Sequence, residues 1–276
     1  MGHQIQTNGI ISPASVSRLF SIRRISNSRF LINMKFLLNE YSGFIKQLLD
    51  DGYKCLPFSA PEARHTTGKN LLLRHDIDID PTAAIPMAEA ERSVGAKSTF
   101  YVLLSNRHTN PLDKEFRQSV RELAALGHWV GLHFDATQYD LSVTDPDFST
   151  FVRREVELLE WTSGVTVDSV SFHRPARELL SASGSLTTPL SHTYENVFIR
   201  EIEYCSDSSG RWSYGPPEER DAHKNGKPFH LLTHPISWGT LDAEPAERIS
   251  LWMRSRVSQD YEYELPDQEN PFRNPT

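Results

Sequence analysis

The chain has 276 residues, 38% hydrophobic and 24% charged, with a net charge of −7 and a mean hydropathy of −0.47. That is long enough to bury a core without disulfides and too apolar for wholesale disorder. No apolar run approaches the roughly 18–20 residues of a membrane span, and two cysteines, Cys55 and Cys205, exclude a disulfide-rich scaffold and a four-cysteine zinc site. The five basic residues before Glu40 meet no acid, which leaves 24 basic and 36 acidic residues, or −12, on the remainder, a poor surface for nucleic acid or an anionic membrane.

Residues 1–33 are rich in Ser and Arg and show no period. Their composition matches that of a transit peptide, but Met34 opens a much more protein-like stretch, so 1–33 is expected to be a disordered extension outside the fold. No apolar run of about 7–15 residues there makes a secretory signal. Residues 40–52 place Tyr41, Phe44, Ile45, Leu48 and Leu49 at helical spacing and end at Gly52. Leu71–Arg74 reads as a short buried strand, 82–94 as a helix ending at Gly95, Ser98–Leu104 as a second strand, and 113–126 as a helix closed by Gly127. Trp129–Phe134 is a third strand, 147–163 a helix, Val167–Phe172 a fourth strand. After a Ser/Thr-rich stretch at 181–193, Val197–Glu203 reads as another strand, Phe229–Thr233 as the last, and Glu244–Val257 as the last helix. Strands separated by helices of about 10–15 residues mean βαβ units and a parallel sheet. One α/β domain over 34–262 is expected, with a loose tail at 263–276.

Ligands of parallel α/β folds bind at the C-terminal ends of the strands. Those ends carry His75-Asp76-Ile77-Asp78, His133-Phe134-Asp135, His173-Arg174-Pro175 and His234-Pro235. Residues two apart in extended backbone share a face, so Asp76 and Asp78 point together. Clustered carboxylates call for a cation or a shared proton, and one can bind a metal while the other acts as base. Asp80, before Pro81, reads as a helix cap. A helix-loop-helix calcium site is disfavoured, since Pro81 and Met87 occupy the positions that need Gly and Glu. His133, at a strand end beside the acidic cluster, is a candidate ligand; His128, at the strand start, is structural.

The ordered set LLLRHDID, STFYVLL, GHWVGLHFD, SFHRP and LLTHP resembles the polysaccharide deacetylases, the NodB-homology carbohydrate esterases, over roughly residues 70–240. Tyr204–Trp212 (YCSDSSGRW) resembles a further element of a divergent branch with an HDxD opening. The resemblance implies a deformed parallel (β/α) barrel and a metal-dependent hydrolase that removes an acetyl group from an N-acetylated or O-acetylated sugar or a related amide. It implies Asp76 as general base, Arg174 pairing with and orienting Asp76, His234 as general acid, and Asp78 and His133 as ligands of one divalent metal, zinc. The chain departs from the pattern at Thr137, where the family has a second ligand histidine; Asp135 or His173 is left to complete the site.

Asp207 and Arg211 are placed to reach substrate or to tie down their own loop. Trp129, Trp212, Tyr214 and Trp238 offer stacking faces for sugar rings, with core packing the simpler role for Trp129. The partners expected are a carbohydrate or small N-acyl substrate and no nucleic acid. One rival reading is a catalytically inactive glycan-binding barrel. Another is a metal-dependent glycosyltransferase using Asp76 and Asp78, which leaves His133, Arg174 and His234 unexplained. With no signal and no anchor in the sequence, a cytoplasmic step of glycan assembly is expected.

Overall fold

The computed structural model describes residues 35–181, 186–213 and 215–264. The expected extension at 1–33, Tyr214 and most of the expected tail lie outside them. The helices are α1 (Leu38–Asp50), α2 (Ile85–Ser93), α3 (Lys114–Ala125), α4 (Phe148–Ser163), α5 (Arg177–Ser181), α6 (Asp221–Asn225) and α7 (Pro245–Glu264). The strands are β1 (Lys54–Cys55), β2 (Asn70–Ile77), β3 (Thr99–Val102), β4 (Trp129–Phe134), β5 (Val167–Phe172), β6 (Ser191–His192), β7 (Glu203–Ser206) and β8 (Phe229–Thr233).

All strand pairs are parallel. The order is β6-β5-β4-β3-β2-β8-β7, with β1 paired to the start of β2. The sheet is strongly curled. Arg74 on β2 and Ser171 on β5 are joined by a 2.6 Å hydrogen bond, although two strands lie between them and a flat sheet would separate them by roughly 14 Å at about 4.8 Å per strand. Tyr101 on β3 likewise meets Ser169 on β5 at 2.6 Å. The architecture is therefore a parallel α/β half-barrel whose path ends at β6 and β7.

Strand alternation sorts the side chains. Outward-facing Leu71, Leu73, Phe229 and Leu231 pack with Tyr41, Ile45 and Leu48 of α1. Phe100, Val102, Val130, Leu132, Val170 and Phe172 pack with α3 and α4 through Phe116, Val120, Val152 and Leu159. Inside, Phe58, Leu72, Tyr101, Phe198 and Ile202 form an apolar floor, and the polar residues of the inner face stand above it. Gly131 of β4 is required there. A Cβ at this position would lie 2.4 Å from the Tyr101 ring and 2.9 Å from the Ser169 carbonyl, so only glycine lets Tyr101 cross to Ser169.

Several elements differ from the sequence expectation. The first strand does not end at Arg74 but continues to Ile77, because His75, Asp76 and Ile77 pair with Phe100, Tyr101 and Val102. The segment expected as a strand at 197–203 is helical over Val197–Glu201; Phe198 and Ile202, four apart, both enter the floor, and the strand begins only at Glu203. The helix expected over 82–94 opens as a 3₁₀ turn over Pro81–Ala84 before α2. Asp80 caps that turn by accepting from the Thr82 amide at 2.9 Å, as its place before Pro81 predicts. The last helix extends past Val257 to Glu264.

Candidate active site

A cavity of about 490 Å³ opens at the C-terminal ends of the strands and is lined by Asp76, Asp78, His133, His173, Arg174 and His234, with Tyr194, Tyr204, Leu232, Ile236 and Ile249 among its other walls. The pleat explains the convergence. Asp76 follows Arg74 on the inner face of β2 and Asp78 lies one residue past its end; His133 follows Gly131 on β4, and His173 and His234 lie one residue past β5 and β8, two after Ser171 and Leu232.

Asp78, His133 and His173 form one cluster whose ligand atoms lie within 4.8 Å of one another. His133 Nε2 is 3.1 Å and His173 Nδ1 3.3 Å from Asp78 Oδ1, and the two nitrogens are 3.2 Å apart. Asp78 Oδ1 is nevertheless buried without a hydrogen-bonded partner. The three atoms converge closely enough to hold one cation between them. Ser171 Oγ accepts from Arg74 Nη2 at 2.6 Å, donates to Asp76 Oδ1 at 3.3 Å, and meets His133 Nδ1 at 2.9 Å. With its proton on Asp76, the hydroxyl takes the Nδ1–H of His133 and leaves Nε2 free for the centre. Burial pushes the Asp78 carboxyl up, but His133, His173 and His234 outweigh it and hold the group well below the usual carboxylate range. Of the two candidates for a third ligand, His173 is in the cluster and Asp135 is not: Asp135 accepts from the Thr137 amide and hydroxyl at 3.0 and 2.7 Å and from Gln138 at 3.1 Å.

Asp76 is engaged by Arg74, not by Arg174 as the family resemblance implies. Arg74 Nε and Nη2 donate to Asp76 Oδ1 and Oδ2 at 2.9 and 2.8 Å. Both side chains are buried, at 1% and 4% exposure, and the guanidinium lies over the rings of Tyr101 and Tyr194, at 5.7 and 5.0 Å from their centroids. Burial raises the Asp76 pKa, but Arg74 and then His133 outweigh it and keep the carboxylate ionised. Arg174 is exposed at the cavity wall. Its φ of +45° is a left-handed conformation that costs a non-glycine residue roughly 1–3 kcal/mol.

Asp207 and Trp238 do not face the cavity as substrate contacts. Asp207 is fully buried and accepts from His234 Nδ1 at 2.7 Å, from the His234 amide at 3.1 Å and from Trp238 Nε1 at 2.8 Å. It tethers His234 to the loop after β7. Burial lowers the His234 pKa, but Asp207, then Asp78 and Asp76, override that and raise it to about 9. Trp238, 6% exposed, packs against Phe36, Tyr41 and Trp212. Arg211 is exposed and absent from the described cavity lining. Trp129 sits at the start of β4, away from the strand ends, beneath Lys97. None of the indoles offers a platform in the cavity.

The sequence reading missed Arg74, although it lies two residues before Asp76 and the same alternation that paired Asp76 with Asp78 places all three on one face. It also missed a network behind the sheet. Buried Glu91 accepts from Tyr41 Oη and Ser98 Oγ, each at 2.5 Å, and lies 2.9 Å from His75 Nε2. His128 joins it through Ser98 Oγ at 3.1 Å and holds the Ala88 carbonyl at 3.0 Å, a structural role.

Fold and site together define a parallel α/β half-barrel with a candidate metal centre at the C-terminal mouth. No protein-family model and no curated protein matches the sequence. Among solved structures the chain is similar to a polysaccharide deacetylase from Bacillus cereus, at 12% identity and a TM-score of 0.42 over 78% of this chain and 60% of that one. It thus spans less than two thirds of that protein. It is similar to a family 4 carbohydrate esterase from Bacillus anthracis, at 14% identity and a TM-score of 0.39 over 79% and 86% of the two chains. It is also similar to a family 4 acetyl xylan esterase from Clostridium thermocellum in complex with a cobalt ion, at 14% identity and a TM-score of 0.37 over 68% and 84%. Among the described residues no helix is long and apolar enough to cross a membrane.

Proposed function

We propose that the protein is a metal-dependent hydrolase that removes an acetyl group from an N-acetylated or O-acetylated sugar or a related amide. The observation that carries this reading is the convergence of Asp78, His133 and His173 on one centre, in one cavity with Asp76 and His234. Two imidazoles and a carboxylate suit zinc, with a further position left for water or substrate. A bound divalent metal would polarise the acyl carbonyl and lower the pKa of a water.

The chain's own residues supply the proton transfers. Asp76 Oδ2 lies 3.7 Å from His133 Nε2, beside the centre, and is the base that takes a proton from the attacking water. Arg74 and Ser171 fix its orientation and its charge. His234 has Nδ1 committed to Asp207, which turns Nε2 toward Asp78 Oδ2 at 4.0 Å. From there it protonates the departing amine or alkoxide. Free Cys55 and Cys205 support a cytoplasmic setting.

A glycan-binding barrel without activity is weakened by the burial of Trp238 in the core. A glycosyltransferase holding metal through both carboxylates is weakened because Asp76 is bound bidentately by Arg74. Elemental analysis of the purified chain and of His133→Ala tests the proposal, together with acetate release from N-acetylated sugars. About one metal ion per wild-type chain, lost in the variant along with acetate release, is expected. A chain that takes up no metal on reconstitution refutes the mechanism.

A further inference from the structure

Arg174 is the only Arg or Lys among the described residues that line the cavity. It follows His173 of the metal cluster and precedes Pro175, in a left-handed conformation with φ +45°. The residue before a proline is normally extended, and a left-handed one is normally glycine or asparagine. Arg174 is neither, and its exposed guanidinium has no ion pair or hydrogen bond among the described residues. The strain is thus not offset by any polar contact of its own side chain, and backbone strain at such a position marks a site where function holds the conformation. With Arg74 serving Asp76, the base needs no second arginine.

We propose that Arg174 binds an anionic group on the substrate, so that the sugar acted on is an acidic one, carrying a carboxylate or a phosphate beside its acetyl group. A guanidinium matches both anions bidentately, and at a rim it acts on binding more than on the reacting bond. Asp76 is matched by Arg74 and Asp78 by the imidazoles around it, so Arg174 is left, among the described lining residues, as the guanidinium available to a substrate anion. The inference rests on the sugar-binding part of the proposed function.

Calorimetric titration of the full chain with N-acetylglucosamine, N-acetylglucosamine 6-phosphate and N-acetylmuramic acid tests it. At low salt at least one acidic sugar is expected to bind ten-fold or more tightly than the neutral one, and the ratio shrinks in 0.5 M NaCl. Which acidic sugar is preferred identifies phosphate or carboxylate. Arg174→Gln brings the ratio close to one, while Arg174→Lys, which keeps the charge, retains most of it. Metal content and the circular dichroism spectrum establish that each variant is folded. Equal affinity for acidic and neutral sugars, no binding of the acidic ones at millimolar concentration, or a ratio that survives in Arg174→Gln overturns the inference. Because binding is read directly, a chain that discriminates but releases no acetate counts against hydrolysis alone. A chain that releases acetate without discriminating counts against Arg174 alone.

Discussion

Arg74 and Asp76 sit two residues apart on one strand and close a bidentate ion pair with both ends out of water. Removing one member of such a pair leaves a buried charge uncompensated, at a cost of about 3–5 kcal/mol. Arg74→Met is expected to lose that much in urea unfolding, and Arg74→Met/Asp76→Asn to recover part of it. A single variant within 1 kcal/mol of wild type means the pair is not the internal counter-ion arrangement described.

The candidate metal cluster predicts an asymmetry between two nearby residues. His173→Ala should weaken zinc binding by more than the 10–100-fold typical of losing an outer partner. Asp135→Asn, altered at a side chain tied to Thr137 and Gln138, should leave it within about three-fold by the same standard. Competition titration with a chromogenic chelator reads both. The reverse ranking would move the third ligand to Asp135.

His234 carries a raised pKa of about 9, against an ordinary 6.5, chiefly because Asp207 overcomes its burial. In the metal-free chain, the imidazole resonances of His234 should titrate near pH 9 by NMR and shift toward 6.5 in Asp207→Asn. The folded pKa exceeds the unfolded one, so this group's stabilisation is complete below pH 6.5 and is lost as pH rises through 9. Asp207→Asn should remove that alkaline loss.

Glu155 of α4 predicts the opposite group behaving in a neighbouring window. Burial, with Asp135 adding, raises its pKa from 4.5 to about 7, although Tyr139 donates to it at 2.6 Å. Between pH 4.5 and 7 the folded chain holds a proton that the unfolded chain has released, so stability falls as pH rises through that range. The loss amounts to at most ~3 kcal/mol. Glu155→Gln should flatten this part of the stability curve and raise the melting temperature at pH 8. An unchanged curve would show that Glu155 is ionised in the folded chain.

Gly131→Ala is expected to cost about 1–3 kcal/mol as an overpacked core position, because the added carbon meets the Tyr101 ring and the Ser169 carbonyl. Tyr101→Phe, which removes only the 2.6 Å bond to Ser169, should cost about 1 kcal/mol. Differential scanning calorimetry separates the two, and a neutral Gly131→Ala would mean that the ring moves freely.

Much of the fold was legible because several strands are short β-rich runs. Trp129–Phe134, Val167–Phe172 and Phe229–Thr233 form at the expected limits. β1 and β6 were missed because two residues each leave no period to read. Val197–Glu203 misled because a β-branched, aromatic run also fits a helix when Phe198 and Ile202 are its buried positions. In the site, Asp78 and His133 stood out by type and place, and alternation gave their direction. For Asp207 the sequence left substrate contact and loop anchoring both open, because a loop carboxylate next to serines looks solvent-facing; only the fold reveals that Trp238 and His234 enclose it. Arg74 was hidden by its neighbours, since an arginine inside a leucine run reads as the point where a strand ends.

β2 takes β3 on one side and β8 on the other, with Leu71 opposite Phe229. During synthesis the strand that carries Asp76 and leads into Asp78 therefore waits, with one edge bare, until about 150 further residues have been made, as far as Phe229. Contacts this distant in sequence form slowly, and an unpaired edge invites aggregation. A nascent or truncated chain ending before Phe229 lacks both the partner strand and His234. On the proposed mechanism such a chain would be inert, and its dependence on chaperones should be greatest just before Phe229–Thr233 emerges.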